Sequence, residues 1–277
     1  KSKEYFARII FVNASTLNSN LILLNSKSTR FPEGLGNDSG LLGKYIAFHN
    51  YRGSMLAGYE GFKNKYYKGR RPTMAIMPSF RNVHRQETDF LRGYLVAFEA
   101  ARQGWSRPFT DAIGIGRDLK QEIARPGPWQ VYMMMQGETI PKMDNHVRLS
   151  LDQTDPWGVP LLITSVRYDE NDERMLEDFL MQGRLMLENA GCVDIKPADS
   201  KQSPGLDIHE MGGIRMGHHS NSSLLNRWNQ LHSVKNVFVT DGACMTSVGT
   251  QNPSLTFMAL TARAAHYAAN QLRSQVL

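Results

Sequence analysis

"NVFVTDGACMTSVGTQNPSLTFMALTARAAHY", residues 236–267, decides the fold. "NVFVTDG" reads as a short buried strand that ends at Asp241 before a glycine. A loop of small residues follows, and from Asn252 the pattern becomes that of a long helix. Asn252 suits the N-cap. Pro253 suits the first helical position, where the missing N–H costs nothing because that group has no intrahelical acceptor. Leu255, Met258, Ala259, Ala262, Ala265 and Ala269 recur at helical spacing and predict a small-residue face able to pack closely on a sheet. Strand, loop and helix in this order make an α/β unit.

The head of the chain has the same character. "ARIIFVNAS", residues 7–15, carries a run from Ile9 to Val12 that predicts a buried strand ending in small polar residues. "NLILLNS", residues 20–26, is a second apolar run, either a strand or the start of a helix. "FPEGLGNDSGLLG", residues 31–43, is rich in turn formers.

Residues 50–200 differ, with longer loops and more aromatics. "NHVRLSLD", residues 145–152, alternates as a half-buried strand does, and "LLITSVRYD", residues 161–169, is a further strand with Pro160 at its start. "DERMLEDFLMQGRLMLENAG", residues 172–191, is the clearest helix of the middle. Leu176, Phe179, Leu180 and Leu187 share one face, Asn189 to Gly191 supply a stop, and Met175, Met181 and Met186 read as core filler. There is no internal repeat. The expected fold is therefore α/β (α+β overall). Residues 1–49 and 205–277 should form one domain, and 50–204 a β-rich insertion.

The bulk numbers bound the function classes. The 277 residues are 41% apolar and 21% charged, as in ordinary globular proteins. No apolar run approaches the length of a membrane-spanning helix. The compartment stays open between cytoplasm and periplasm. The net charge is +6, and the densest basic run is "KNKYYKGRRP", residues 63–72, with Tyr66 and Tyr67 interleaved. A single such run reads as a solvated loop and not as a nucleic-acid surface. Cys192 and Cys244 are too few for a disulfide framework and do not make a metal set. The chain enters a strand-like segment almost at once after Lys1, so its true N-terminus is expected upstream.

"HEMGGIRMGHHSNSS", residues 209–223, opens like a zinc-protease helix. That motif needs a second histidine where Gly213 stands, and Gly212–Gly213 argues for a turn, so no metal is expected. His218 and His219 are adjacent, point different ways and read as bystanders. "AIGIGRDL", residues 112–119, has Gly114 and Gly116 but Leu119 in place of the third glycine of a dinucleotide turn. Sequons at Asn13, Asn37 and Asn221 are short enough to arise by chance. The sharper signal is a pairing. His209 precedes the Gly-Gly step, and Asn252 opens a helix beyond a strand that ends at Asp241. Ligands of α/β folds collect at carboxyl ends of strands, and helix N-termini favour anions. Asp241 is open to two roles, accepting from a ligand hydroxyl or capping a turn.

"IHEMGGIRMG" together with "NVFVTDGACMTSVGTQNPSLTFMALTARAAHY" resembles the C-terminal signature of the glucose–methanol–choline (GMC) family of FAD-dependent oxidoreductases. "ARIIFVNASTLNSNLILLNS", "GLGNDSGLLGKYIAFHN" and "NHVRLSLDQTDPWGVPLL" resemble earlier parts of the same family, in the expected order. The resemblance is greatest to sugar-oxidising members, such as pyranose oxidases and glycoside 3-dehydrogenases. It implies part of a Rossmann-like FAD-binding domain and a substrate domain with an antiparallel sheet and helices. The family's N-terminal GxGxxG half is absent, so the chain resembles the C-terminal half of a member, with the rest supplied by the same protein or by a second chain.

The resemblance also implies roles. His209 would be the general base and Asn252 its active-site companion, holding the substrate oxygen. Asp241, Gly242, Ala243, Gln251, Asn252, Pro253 and Ser254 would line FAD, with Asn13 and Ala14 towards the adenosine. An alcohol group of a sugar or glycoside would be oxidised by hydride transfer to flavin N5, with electrons passed to oxygen or to another acceptor. By side-chain type alone, Gln136, Glu138 and Trp157 of the middle segment are candidates for sugar contact, with ordinary surface or core roles open for each. The alternatives are an FAD-containing lyase of the same fold and a non-catalytic fragment or subunit.

Overall fold

The computed structural model describes residues 3–65, 74–102, 115–206 and 208–276. Gly114 of the glycine pair and residues 66–72 of the basic run lie outside the described residues. The chain divides into two compact units. One is Lys1–His49, Glu138–Tyr168 and Ser203–Leu277, and the other is Asn50–Gly137 and Asp169–Gln202. We call them the end unit and the middle unit. The expected insertion of 50–204 needs correction, because residues 138–168 belong with the chain ends. The reason is strand pairing. The hairpin of β8 (His146–Thr154) and β9 (Pro160–Ser165) joins β2 (Lys44–Ala47) and β11 (Met211–Gly213) in one four-stranded antiparallel sheet, order β11-β2-β8-β9.

The end unit also holds a parallel pair, β1 (Ile10–Val12) with β12 (Val237–Val239), in register Ile10 to Val237. Each strand leads towards a helix: α1 (Thr16–Asn25) after β1, and α4 (Ser254–Arg273) after β12 and an intervening loop. The second apolar run is thus helical. Leu23 of α1, Val237 and Val239 of β12, and Leu42, Ile214, Leu224 and Leu231 form the core of this unit.

Three sequence expectations change here. The run Ile9–Val12 is not buried, since Ile10 and Phe11 are exposed. Among the described residues β1 is hydrogen-bonded to β12 alone, and Phe11 stacks on the Phe238 ring at 5.1 Å. Helix α4 starts one residue later than expected, with Pro253 and not Asn252 at the N-cap and no side chain capping it. Its buried stripe is also the opposite one. Ala264 and Ala268 are buried, with Phe257, Leu260 and Tyr267 partly so, whereas Leu255 and Met258 are 77% and 67% exposed. The helix is apolar on two faces, and the aromatic-bearing face took the core.

Gly212 and Gly213 lie in β11 and not in a turn. They carry left-handed φ of 91° and 89° at a register shift against β2. A Cβ at Gly212 would stand 2.2 Å from the Tyr45 carbonyl oxygen, and one at Gly213 2.2 Å from Asn20 Oδ1. Asn20 is buried and donates to the carbonyls of Thr16 and Gly212, so it has no room to withdraw. Gly213→Ala should therefore cost about 1–3 kcal/mol in backbone strain alone. A thermal midpoint for the full-length variant equal to that of the parent would contradict this account.

Two-residue β3 (His49–Asn50) falls where the chain passes from the end unit, which ends here at His49, to the middle unit, which starts at Asn50. β4 (Gly53–Tyr59), β5 (Ala75–Met77), β6 (Tyr94–Arg102), β7 (Trp129–Glu138) and β10 (Val193–Asp199) form an antiparallel sheet, order β10-β4-β7-β6-β5. Besides the short α2 (Arg117–Ala124), the unit contains α3 (Glu170–Asn189). Asp169 and Asp172 cap α3 reciprocally, each side chain taking the other's backbone N–H. Met175, Leu176, Phe179 and Leu187 are buried and pack with Met55, Tyr94, Met133 and Met135 of the sheet. Gly53 permits this approach, because a Cβ there would lie 2.6 Å from Phe179. Met181, expected as core filler, is exposed, while Met175 and Met186 do pack on the core.

Candidate active site

The site is built on alternation along β2 and its extension. Ile46 and Phe48 face one cluster with Val147. Ala47 turns the other way and packs with Met211 and Val248. His49 follows that second direction two residues on, as strand periodicity requires. It is 2% exposed. Thr139 steadies the approach, since its hydroxyl donates to the Phe48 carbonyl and accepts the Phe48 N–H at 3.1 Å.

His49 connects the two stretches singled out in the sequence. Its Nδ1 lies 3.0 Å from Nδ1 of His209, and its Nε2 lies 3.0 Å from the Gly249 carbonyl oxygen. The two rings stand nearly perpendicular, at 86°. His209 itself has a left-handed backbone, φ 72°, directly before β11. Burial pushes the His49 pKa down to about 4, reinforced by the His209 charge and opposed by the Gly249 carbonyl. Burial also lowers the pKa of His209 from its ordinary value. Both rings are therefore neutral near pH 7.

A second cluster sits at the carboxyl ends of β1 and β12. Asn13 Oδ1 accepts from the Thr240 N–H at 3.1 Å and from the Thr240 hydroxyl at 3.0 Å. The Ser19 hydroxyl accepts the Ala14 N–H and donates to Asp241 Oδ2. Asp241 also takes the Ala243 N–H at 3.0 Å and so caps the short 3-10 helix Gly242–Cys244. Of the two open roles, capping is thus filled. Burial raises the Asp241 pKa, against these hydrogen bonds. Thr16, at the head of α1, donates to the Glu210 carbonyl at 2.5 Å. Asn13, Ala14, Asp241, Gly242 and Ala243 are thereby gathered beside the segment that carries His209. Gly242 has no space for a Cβ, which would meet Thr16 Oγ1 at 2.3 Å.

The remaining candidates are more scattered. Gln251, Asn252 and Ser254 are exposed at the start of α4, around buried Pro253, and Asn252 is three residues beyond Gly249. Glu138 is buried in the end unit and accepts from the Ser247 hydroxyl. Gln136 is buried in the middle unit, while Trp157 is 85% exposed near the tip of the β8–β9 hairpin. His218 and His219 are exposed on a loop. Among the described residues, no group of three His, Cys, Asp or Glu side chains could hold a metal ion. The buried Cys244 thiol is pushed up to about 12 by its burial. Sequence reading missed His49. It stands 160 residues from His209, and its only local sign is a histidine in phase with Ala47 on an apolar strand.

The chain is similar to several known proteins. The C-terminal family model described as GMC oxidoreductase matches residues 141–261. A 2-methyl-1,2-propanediol dehydrogenase of Mycolicibacterium austroafricanum is 28% identical over 95% of this chain and 48% of its own length. The fructose dehydrogenase large subunit of Gluconobacter japonicus is 27% identical over 99% of this chain and 49% of its own. Paromamine 6'-oxidase of Streptomyces fradiae is 28% identical over 97% and 47%. The chain thus spans about half the length of the curated relatives it matches. The solved structures of pyridoxine 4-oxidase from Mesorbium loti (TM-score 0.51, 15% identity) and of formate oxidase from Aspergillus oryzae RIB40 (TM-score 0.61, 10% identity) share the fold. They cover 95% and 96% of this chain, matched to 51% and 55% of theirs.

Proposed function

We propose that this chain, whose residues 141–261 match the GMC oxidoreductase C-terminal model, forms part of an FAD-dependent enzyme oxidising an alcohol group, on a sugar or polyol. Bound FAD would supply the hydride acceptor. His209 takes the hydroxyl proton, and Asn252 holds the substrate oxygen through its side-chain amide. The observation that carries this reading is the setting of His209. It is half-buried and neutral near pH 7, and its neighbour Glu210 is tied to the head of α1 beside the strand-end cluster. A base poised in this way can accept a proton without first losing one.

The residues present suit the cofactor. Asp241, Gly242 and Ala243 would follow its pyrophosphate and ribityl chain at the carboxyl end of β12, where α/β folds bind such groups. Asn13 and Ala14 would lie towards the adenosine, and Gln251, Asn252, Pro253 and Ser254 towards the flavin ring. The first turn of α4 has no side-chain cap, and its partial positive charge favours negative charge developing on a bound group.

A partner segment matching the rest of the relatives' length, in the same protein or in a second chain, would cover apolar surface that this chain leaves bare. Ile10 and Phe11 on a parallel pair, and Leu255 and Met258 on α4, are exposed apolar surface on elements that are normally covered on both faces. No helix among the described residues is long and apolar enough to cross a membrane.

The test is the absorbance spectrum of the full-length protein before and after anaerobic glucose. A flavin band that bleaches supports a sugar-oxidising flavoenzyme. A band that persists with glucose and with a panel of polyols would overturn oxidation in favour of a lyase, and absence of any band would overturn the cofactor assignment.

A further inference from the structure

We propose that His49 is a positioning residue that sets the tautomer of His209, leaving the Nε2 lone pair of His209 as the proton acceptor. The proposal rests on the reading of His209 as the base. It starts from an atom with no choice of role. The Gly249 carbonyl oxygen can only accept, so the His49 nitrogen 3.0 Å away from it, Nε2, carries a proton. His49 is buried, and its displaced pKa keeps it neutral, so it has only that one proton. Its Nδ1 then carries no proton and can only accept. The nitrogen 3.0 Å from it, His209 Nδ1, must be the donor.

A neutral His209 with its proton on Nδ1 has its lone pair on Nε2. When the substrate hydroxyl gives up its proton, Nε2–H forms, and the Nδ1–H bond to His49 is kept throughout. The chain from Gly249 through His49 to His209 therefore moves no proton along its length. It determines which end of His209 is basic. A free imidazole divides its proton between two nitrogens and rotates. Here the ring is held, and the perpendicular packing of the two rings restrains it further. A wrong tautomer at a catalytic histidine is costly in rate even where the geometry survives.

The test compares His49→Phe and His49→Gln in the full-length holoenzyme. Phenylalanine fills the space but offers no acceptor. Glutamine can donate to Gly249 through Nε2 and present Oε1 towards His209. His49→Phe should lower the limiting rate of flavin reduction by on the order of 10- to 100-fold, a part of what general-base catalysis supplies. Apparent substrate affinity should stay within a few-fold, and His49→Gln should recover most of the loss. The 15N spectrum of histidine-labelled enzyme should show His209 Nδ1 protonated and Nε2 unprotonated, with that pattern blurred in His49→Phe.

If His49→Phe reduces the flavin at the parental rate, or if glutamine recovers nothing although the protein folds and binds FAD, the positioning role is wrong. If His209→Ala itself leaves flavin reduction intact, the base reading fails first and His49 is left with packing alone.

Discussion

With His209 as the proposed base, replacing it with alanine is expected to slow flavin reduction by on the order of 10²–10⁴-fold in the full-length protein, with FAD still bound. Oxidation of an alcohol needs somewhere for the hydroxyl proton to go as the hydride leaves carbon. His209 is suited because burial lowers its pKa, so the neutral, accepting form dominates at pH 7. Alanine takes away the acceptor and opens a space beside His49, but it touches none of the hydrogen bonds that join Asn13, Ser19, Thr240 and Asp241. Stopped-flow reduction under anaerobic conditions reads the step directly. The loss should lie in the limiting rate and not in substrate affinity. The parent's rate should hold steady from pH 7 down to the ordinary histidine pKa and fall only below it, because protonated His209 cannot accept. A variant that reduces its flavin at the parental rate would remove His209 from the chemistry.

Arg52→Ala is expected to destabilise the middle unit by about 3–5 kcal/mol, the usual cost of breaking a buried ion pair by deleting one member. The Arg52 guanidinium is buried and grips Asp199 with two parallel bonds of 3.0 and 2.7 Å, while also holding Glu173 in the first turn of α3. It thus links the end of β10 to the start of the helix. The bidentate contact keeps the Asp199 carboxyl well below the usual carboxylate range. Without Arg52, Asp199 remains poorly exposed, with Lys201 as its remaining cation. Arg52→Lys should recover only part of the loss, because an ammonium cannot reproduce the fork.

The pH dependence has a definite sign. Asp199 has a depressed folded-state pKa, so its contribution is complete above the ordinary carboxylate pKa. It fades as pH falls through the folded value. The gap between Arg52→Ala and parent should therefore be widest near neutrality and narrow in strong acid. Equal thermal midpoints for the two proteins at pH 7 would refute the assignment.

Much of the architecture was legible in residue order. The strand ending at Asp241, the long helix after Pro253, and the α3 helix with its buried face depend on local periodicity and capping, which act over a few residues. His209, Asp241 and Asn252 could be named as candidates because they belong to a family resemblance with several motifs in order. What was misread has a common cause. The β8–β9 hairpin is a strand pair by its pattern, but nothing local says that β2, a hundred residues earlier, is its neighbour. Helix α4 carries two apolar stripes, and composition cannot say which one meets the core of this chain.

The sequence by itself determined the kinds of element and the order of the motifs, and it singled out the histidine that begins "HEMGG" as a candidate. Those depend on short-range steric and hydrogen-bonding preferences. Only the tertiary structure decided that His49 touches His209, that Gly249 lends it a carbonyl, and that Asp241 spends one oxygen on Ser19 and the other on the Ala243 N–H. These contacts join residues up to 222 positions apart. They follow from which strands pair and which faces are buried, and that is settled by the packing of the whole unit and not by any segment of it.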